Sequence, residues 1–153
     1  MRGVLVDAGP FVALIDRRDQ NHARAVDALR GIVDPLVTVW PALVEAMYVL
    51  ETWTEQAALW AMVESGPIQL APLDDDDVPR LRKLMARYRD LPMDLADAAL
   101  VHVAERDEYR RIFTLDRDFQ VYRVAGRERL TIVPEPSRPA RLPPRRRRPA
   151  DRR

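Results

Sequence analysis

The chain has 153 residues and a net charge of +1, with 47% hydrophobic and 32% charged residues, which predicts one globular domain with a sizeable core. It contains no cysteine, which excludes disulfides and thiolate metal sites and fits a reducing cytoplasm. Its apolar runs are far shorter than the roughly 20 residues of a membrane span, and Asp7 interrupts the apolar stretch where a signal peptide would lie.

Hydrophobic periodicity, helix caps and turn residues predict five strands and six helices. Pro10 and Pro41 stand in the first turns of helices, where a missing N–H costs nothing, and Gly31 and Gly66 end helices. In chain order the predicted segments are a strand at 3–6, helices at 10–19 and 21–31, a strand at 35–40, helices at 41–51 and 55–66, a strand at 68–72, helices at 74–90 and 93–107, and strands at 111–115 and 130–133.

This alternation of strands and helices predicts the fold class. Strands separated by one or two helices need crossover connections, which are the connections that parallel strands use. We therefore expect a three-layer α/β/α fold, in which helices cover both faces of a mainly parallel sheet of four to five strands. In such sheets the first and fourth strands normally lie side by side.

The charge is distributed unevenly along the chain. Residues 137–153 contain eight arginines and one aspartate, a net charge of +7, which leaves −6 for residues 1–136. Because this segment is rich in proline and charge and has little to bury, we predict a folded domain at 1–136 and a disordered basic tail at 137–153. The basic tail is either a solubilising extension or an arm that binds a polyanion.

The residues present argue against several kinds of active site. None of the five glycines stands in a dinucleotide-binding or P-loop motif. Ser65 lies in a predicted turn and Ser137 in the basic tail, without a histidine nearby, so a serine nucleophile is not expected. His22 and His102 lie on different predicted helices, and we expect them to pack or face solvent rather than bind metal.

Acidic residues instead follow two of the predicted strands. Open parallel sheets bind ligands just beyond the carboxyl ends of their strands. Asp7 follows the first strand, and Asp116 and Asp118 follow the fourth, so these carboxylates are expected to meet at one edge of the sheet.

Three further acids lie on predicted helices. Glu45 is surrounded by apolar neighbours in PALVEAMYVL, which is unusual for a carboxylate on a merely solvated face. Asp94 and Asp97 are three residues apart in MDLADAALV, so they share one helical face.

Each acid also has a structural explanation. Asp7, Asp94 and Asp116 can cap helices, Asp97 can complete a capping box, and the acidic run at 74–77 suits a helix start. Taken together, however, several carboxylates in apolar settings would repel one another, and no lysine or arginine in these segments is placed to neutralise them all. A divalent cation would neutralise them, and a ligand set made only of oxygens favours magnesium or manganese.

Four segments in order carry a family resemblance, namely VLVDAGPFVALID, PALVEAMYVL, MDLADAALVHVAE and TLDRDF. The set resembles the four acidic motifs of the PIN domain, and most of all the VapC-like toxins of type II toxin–antitoxin modules, over about residues 1–134. One departure is Ala8-Gly9, where many relatives have threonine or serine. This departure removes a hydroxyl contact to metal-bound water, but the site is expected to remain.

The resemblance implies a Mg²⁺-dependent endoribonuclease, with Mn²⁺ as a substitute, that leaves a 5′-phosphate and a 3′-hydroxyl on the cut RNA. One or two ions would bind the scissile phosphate, activate a water and stabilise the leaving oxygen. By position, the catalytic and metal-binding acids would be Asp7, Glu45, Asp97 and Asp116, with Asp94 and Asp118 in supporting roles.

The resemblance also implies three partners: RNA, a second copy of the chain and a small antitoxin. Because the body is acidic, RNA contacts are expected from basic residues at the rim and in the basic tail, namely Arg17, Arg18, Arg117, Arg145, Arg146, Arg147 and Arg148. Trp53, Trp60 and Met62 are expected in the core; if exposed, they would offer a dimer surface or an antitoxin groove.

Two other functions stay open. The first is a PIN-like RNA-binding module that has lost catalysis, against which the intact set of acids argues. The second is another magnesium-dependent phosphotransfer or phosphatase domain. A receiver domain would need a lysine at the end of the last strand, and a haloacid-type phosphatase would need Asp-x-Asp after the first; this chain has neither there.

Overall fold

The computed structural model describes residues 2–137 of the chain. Except for Ser137, the basic tail and its predicted RNA-binding residues Arg145–Arg148 lie outside the described residues. Within 2–137, no helix is both long enough and apolar enough to cross a membrane.

The architecture is the predicted α/β fold, with strands and helices in the expected order. The strands are β1 (Val4–Val6), β2 (Leu36–Thr38), β3 (Ile68–Leu70), β4 (Arg111–Phe113) and β5 (Thr131–Val133). The helices are α1 (Ala8–Ile15), α2 (His22–Arg30), α3 (Trp40–Val49), α4 (Trp53–Glu64), α5 (Val78–Arg87) and α6 (Leu95–Arg106), with short 3₁₀ turns at Asp75–Asp77 and Arg117–Gln120.

The five strands form one sheet in the order β3-β2-β1-β4-β5, and every pairing in it is parallel. β1 lies beside β4, with Leu5 opposite Ile112, so the predicted neighbourhood of the first and fourth strands is confirmed. Because all strands point the same way, the residues that follow them lie along one side of the sheet, which we call the carboxyl edge.

Helices bury both faces of the sheet. Side chains of β1 alternate between two cores, as the pleat of a strand requires. Leu5 packs with residues of α5 and α6, whereas Val4 and Val6 pack with residues of α1, α2 and α4. The central strand β1 is therefore an unbroken apolar run, and the polar Asp7 that follows it marks where this strand leaves the interior.

The expectation that the tryptophans of α4 are core residues is wrong. Trp53 is 71% exposed and Trp60 is 37% exposed. A surface helix buries one stripe of side chains, and here Leu59, with Met62 and Val63 three and four positions later, forms that stripe. Trp60 therefore points away from the core.

Candidate active site

Asp7 lies at the carboxyl edge, where β1 ends and α1 begins. Its N–H donates to the carbonyl of Phe113 at the end of β4 (3.0 Å), and its Oδ1 accepts the Ala8 N–H (2.8 Å) as the N-cap of α1. Helix α1 therefore starts two residues earlier than predicted. The residue is only 6% exposed, and burial raises the pKa of its carboxyl to about 6.

Thr114, which the sequence did not single out, holds Asp7 from the neighbouring strand. Its hydroxyl donates to Asp7 Oδ2 (2.9 Å) and accepts the N–H of Asp116 (3.0 Å). One buried hydroxyl thus fixes the Asp7 carboxylate relative to the loop that carries Asp116. It also places a hydroxyl on Asp7, although residue 8 is alanine. In the sequence, Thr114 could have been noticed as a β-branched polar residue between a buried strand and Asp116.

Asp116 caps the 3₁₀ turn at Arg117–Gln120, because its Oδ1 accepts the N–H of Asp118 (2.9 Å). The charge of Asp116 adds to the rise in the pKa of Asp7, so the two carboxylates act on each other across the edge. Asp118 is half-buried, and burial followed by the Asp116 charge raises its pKa. Asp116 therefore lies close enough to Asp7 for their charges to interact, and Asp118 follows in the 3₁₀ turn that Asp116 caps.

Asp94 and Asp97 form the predicted capping box at the start of α6. Asp94 Oδ1 accepts the N–H of Asp97 (2.8 Å), and Asp97 Oδ2 lies 3.4 Å from the N of Asp94. Asp94 is exposed, whereas Asp97 is only 6% exposed. Burial raises the pKa of Asp97 to about 7, and the charges of Asp94 and Asp7 add to the rise.

Tyr122 is the second residue that the sequence did not reveal. It is buried, packs edge-on against Phe119 and Tyr88, and donates its O–H to Asp97 Oδ2 (3.0 Å). This hydrogen bond favours the ionised carboxylate and opposes the rise in the pKa of Asp97. Twenty-five positions separate the two residues, and we find no local pattern that links them.

Replacing Tyr122 with phenylalanine is expected to raise the pKa of Asp97 further, by about 0.5–1 unit, because the ionised carboxylate loses a hydrogen-bond donor. A ¹³C NMR titration of the carboxyl groups in the metal-free protein measures this shift. Tyr88→Phe is the matched control, since the Tyr88 hydroxyl accepts the N–H of Arg123 and does not touch a carboxylate. An unchanged pKa in Tyr122→Phe would contradict the assigned role.

Glu45 joins the group from α3, which packs against both α1 and α6. Its side chain is half-buried, and burial raises its pKa to about 8, with Asp94, Asp7 and Asp97 adding to the effect. The apolar neighbours noted in the sequence thus correspond to a partly desolvated carboxylate. Four chain segments, from β1, α3, α6 and the loop after β4, bring their acids together here.

These acids have no cationic partner within residues 2–137: no arginine, lysine or histidine forms an ion pair with Asp7, Glu45, Asp94, Asp97 or Asp116. Unpaired carboxylates, of which Asp7, Glu45 and Asp97 are desolvated, fit a hard divalent cation such as Mg²⁺ or Mn²⁺ in ligand type and in charge. In the described part of the chain, however, no three acidic or imidazole side chains are already gathered tightly enough to hold one ion.

The basic residues predicted at the rim do not all lie near the acids. Arg117 is exposed and directly follows Asp116 at the carboxyl edge. Arg17 and Arg18 are exposed beyond the far end of α1, whose eight residues span about 12 Å. Arg18 is also held by Asp16 at 3.3 Å. Of the predicted RNA-binding residues that the structure describes, Arg117 is thus the one beside the acids.

The two histidines have structural contacts, in agreement with the sequence. His22 Nδ1 lies 2.7 Å from the carbonyl oxygen of Ala13. His102 Nε2 lies 2.6 Å from Oδ1 of the buried Asp77, which Arg106 also contacts at 3.3 Å. Contact with His102 is the largest cause of the lowered pKa of Asp77. Asp77, from the acidic run, is therefore part of a buried ionic cluster rather than of the carboxyl edge.

A family model described as the PIN domain matches residues 4–125, a stretch that contains all six acids singled out above. The chain belongs to the PIN domain family. This PIN domain is 27% identical over 135 residues to ribonuclease VapC26 of Mycobacterium tuberculosis, and the alignment covers 86% of this chain and 100% of that protein. The resemblance to VapC-like PIN proteins is thereby confirmed.

Two solved structures share the fold of this PIN domain. VapC20 of Mycobacterium tuberculosis, a toxin that cleaves the sarcin–ricin loop, superposes with a TM-score of 0.72 at 18% identity, over 77% of this chain and 93% of that one. VapBC2 of Rickettsia felis, bound to a DNA fragment from its promoter, superposes with a TM-score of 0.55 at 10% identity, over 85% and 96% of the two chains. The predicted fold class is confirmed by these likenesses.

Proposed function

We propose that this protein is a Mg²⁺-dependent endoribonuclease, that it is the toxin of a toxin–antitoxin module, and that it acts in the cytoplasm. The observation that carries the proposal is the set of desolvated acids at the carboxyl edge without a cationic partner among the described residues. The likeness to a ribonuclease along 86% of the chain supports RNA as the substrate.

In this proposal Asp7, Glu45, Asp97 and Asp116 hold the metal, and Asp94 and Asp118 support them. When bound, Mg²⁺ would offset the charge of the scissile phosphate, lower the pKa of water and stabilise the leaving 3′ oxygen; Mn²⁺ could replace it. The hydroxyls of Thr114 and Tyr122 keep the Asp7 and Asp97 carboxylates oriented.

The protonation of these acids couples the site to pH. Glu45 and Asp97 have pKa values of about 8 and about 7, so the free site carries protons near neutral pH. Carboxylates must lose those protons before they bind a cation. Cation affinity is therefore expected to strengthen as the pH rises from 6 to 8.

We propose that the antitoxin covers an apolar groove of about 590 Å³ next to the acids. The groove is lined by Val12, Val44, Tyr48, Val49 and Leu115, with Glu45 at its side. Val44 and Tyr48 are 66% and 89% exposed, which leaves a large apolar surface for a partner segment. An occupant of this groove would lie over Glu45 and would block the approach of RNA.

A second copy of the chain is proposed to bind the tryptophan face, made of Trp40, Trp53 and Trp60. Trp40 and Trp60 pack edge-on with ring centroids 6.4 Å apart, and Trp40 and Trp53 are 51% and 71% exposed. Rigid aromatic groups of this kind are enriched at protein interfaces. The homodimer proposed from the sequence resemblance thus has a suitable surface on α3 and α4.

Removing the divalent cation should stop cleavage. We expect the protein to cut single-stranded RNA in Mg²⁺, to lose about 100-fold or more of that rate in EDTA, and to recover it in Mg²⁺ or Mn²⁺. Gel analysis with end-labelled RNA measures the rate and identifies the 5′-phosphate on the fragments. Equal cleavage in EDTA would contradict the metal dependence. Mg²⁺-independent RNA binding without cleavage would instead support the RNA-binding module that has lost catalysis.

A further inference from the structure

Four arginines that the sequence did not single out lie together where α5 ends. Arg87 is the last residue of α5 and Arg89 follows it, whereas Arg123 and Arg127 belong to the segment between the second 3₁₀ turn and β5. The Arg87 guanidinium lies over the Tyr88 ring, 5.3 Å from its centroid, and the Tyr88 hydroxyl accepts the backbone N–H of Arg123 (3.0 Å). We call these four arginines the arginine cluster.

The turn that carries Arg127 packs against Arg87. Gly126 has a φ of +75°, and Nη1 of Arg87 lies 3.5 Å from the position that a Cβ would take there. The backbone N–H of Arg127 donates to the carbonyl of Val124 (3.1 Å) within the same turn. Arg87 and Arg127 are both exposed. Two guanidinium groups from distant parts of the chain therefore start from neighbouring positions on the surface.

The positive charge of the arginine cluster is not balanced by carboxylates. Within residues 2–137, none of its four members forms an ion pair. Of the acids adjacent in sequence, Glu128 pairs with Arg110 (2.9 Å), and Asp90 pairs with no described residue. Arg89 and Arg123 donate to backbone carbonyls, which orients a guanidinium without neutralising it. The cluster therefore offers its charge to an anionic ligand.

Aromatic contacts connect the arginine cluster to the acids of the site. Tyr88 packs edge-on against Tyr122, with ring centroids 5.1 Å apart, and Tyr122 donates to Asp97 Oδ2 (3.0 Å). The short loop after Tyr88 also leads directly into the capping box at Asp94. The cluster therefore flanks the site on its Asp97 side.

We propose that the arginine cluster binds phosphates of the RNA strand next to the cut, on the Asp97 side of the site. This inference rests on the proposed ribonuclease function. It adds the surface by which a domain with a net charge of −6 over residues 1–136 holds a polyanion. Arginines neutralise phosphates regardless of base sequence, so the cluster positions the strand without selecting the sequence that is cut. An acidic protein segment is the alternative occupant, but the continuity of the cluster with the acids favours the substrate.

The first test is a salt titration of RNA binding. Parent protein and the double variant Arg87→Gln, Arg127→Gln, both carrying Asp7→Asn to prevent cleavage, are titrated with single-stranded RNA at several salt concentrations. The slope of log affinity against log salt should flatten by about 1–1.5, because each lost phosphate contact removes about 0.7. Both proteins should melt at nearly the same temperature, since neither guanidinium forms an ion pair within residues 2–137.

Two matched variants separate the position of the charge from its amount. Arg87→Lys with Arg127→Lys keeps both charges and should preserve most of the slope. Arg2→Gln with Arg30→Gln removes two charges from exposed positions elsewhere, before β1 and at the end of α2, and should leave the slope unchanged. Equal flattening in this control would overturn the proposal. An unchanged slope in the glutamine variant of the cluster would also overturn it and leave an acidic protein segment as the occupant.

The second test locates the arginine cluster on the RNA and does not depend on the charge variants. Because the chain has no cysteine, Ala86→Cys gives a single attachment point for a photo-cross-linker, and Ser65→Cys at the end of α4 gives the control. Ala86 is exposed, and its carbonyl accepts from Nη1 of Arg89 (3.0 Å). We expect Ala86→Cys to cross-link a few nucleotides to one side of the scissile bond, and Ser65→Cys to give little product. Equal products from both positions would overturn the placement.

The failure of this proposal can be told apart from failure of the proposed function. With Asp7 intact, the Arg87→Gln, Arg127→Gln variant should cleave RNA with an unchanged kcat and a KM raised roughly tenfold or more. Cleavage with unchanged kcat and KM would overturn the role of the cluster but leave the nuclease standing. If the wild type does not cleave RNA, the nuclease assignment fails, and the salt slopes still decide whether the cluster binds phosphate.

Discussion

Asp7→Asn is expected to reduce RNA cleavage about 1000-fold, equivalent to about 4 kcal/mol, while leaving the fold intact. Asp7 directly follows the central strand β1, and asparagine removes the negative charge that would bind the cation. Asparagine is also a good N-cap, so its side-chain oxygen can still accept the Ala8 N–H. Cleavage at the wild-type rate in Mg²⁺ would contradict the assignment of Asp7.

The same variant should be more stable than the wild type when metal is absent. The pKa of Asp7 is raised from 3.8 to about 6, so the native state holds this proton more tightly than the unfolded state does. The contribution of Asp7 to the free energy of unfolding is therefore fully present below about pH 4 and is lost as the pH rises through 6. The contributions of Asp97 and Glu45 have the same sign and are lost as the pH rises through about 7 and about 8, respectively.

The melting temperature of the metal-free wild type should thus fall between pH 5 and pH 8, and Asp7→Asn should flatten that fall. At pH 8 the free energy of unfolding of the variant should exceed that of the wild type by about 1–3 kcal/mol. Saturating Mg²⁺ should stabilise the wild type more than the variant. Asp27→Asn, an exposed acid on α2 that pairs with Arg30, makes the same charge change as a control.

Asp97→Ser is expected to be severe, with a loss of about 1000-fold in cleavage, whereas Asp94→Ser should cost less than about tenfold. Both residues belong to one capping box, but they differ in burial. Serine can replace Asp94 as the N-cap, because its hydroxyl accepts the N–H of residue 97. Asp97 is only 6% exposed and is held by Tyr122, so serine there removes an oriented carboxylate that would bind the proposed cation.

Kinetics and stability together distinguish these roles. Cleavage rates are measured beside melting temperatures, and Asp97→Asn serves as the variant that keeps an acceptor for Tyr122. If Asp97→Ser is inactive because it unfolds, Asp97→Asn should still melt near the wild-type temperature and remain inactive. Equal, severe losses in Asp94→Ser and Asp97→Ser would show that Asp94 itself binds the cation and is more than a cap.

The fold class, and the position of Asp7 and Asp116 after their strands, could be predicted from local signals in the sequence. Apolar runs and caps are local signals, and parallel strands joined by crossovers leave few possible arrangements. Where a buried strand ends and a helix or 3₁₀ turn begins, the first backbone N–H groups need an acceptor. Asp7 and Asp116 supply that acceptor at the carboxyl edge. The capping box of Asp94 and Asp97 depends on a spacing of three residues and was equally visible.

The groups that support the acids, and the extent to which the acids are desolvated, depend on tertiary contacts. Thr114 and Asp7 are 107 positions apart, and Tyr122 and Asp97 are 25 apart, so no periodicity in the sequence connects them. Burial, the largest cause of the raised pKa values of Asp7, Glu45 and Asp97, arises when separate helices and strands pack together.

The exposed tryptophans and the exit of the basic tail depended on packing in the same way. Composition predicts that tryptophan is buried, but the core stripe of α4 was already filled by Leu59 and its neighbours, so Trp53 stayed outside. The charge of the tail can be counted from the sequence. The position of its first residue, Ser137, in the same cleft as Asp116 follows from the parallel pairing of β5 with β4. Local patterns specify single elements; contacts between distant elements form only when the chain has folded.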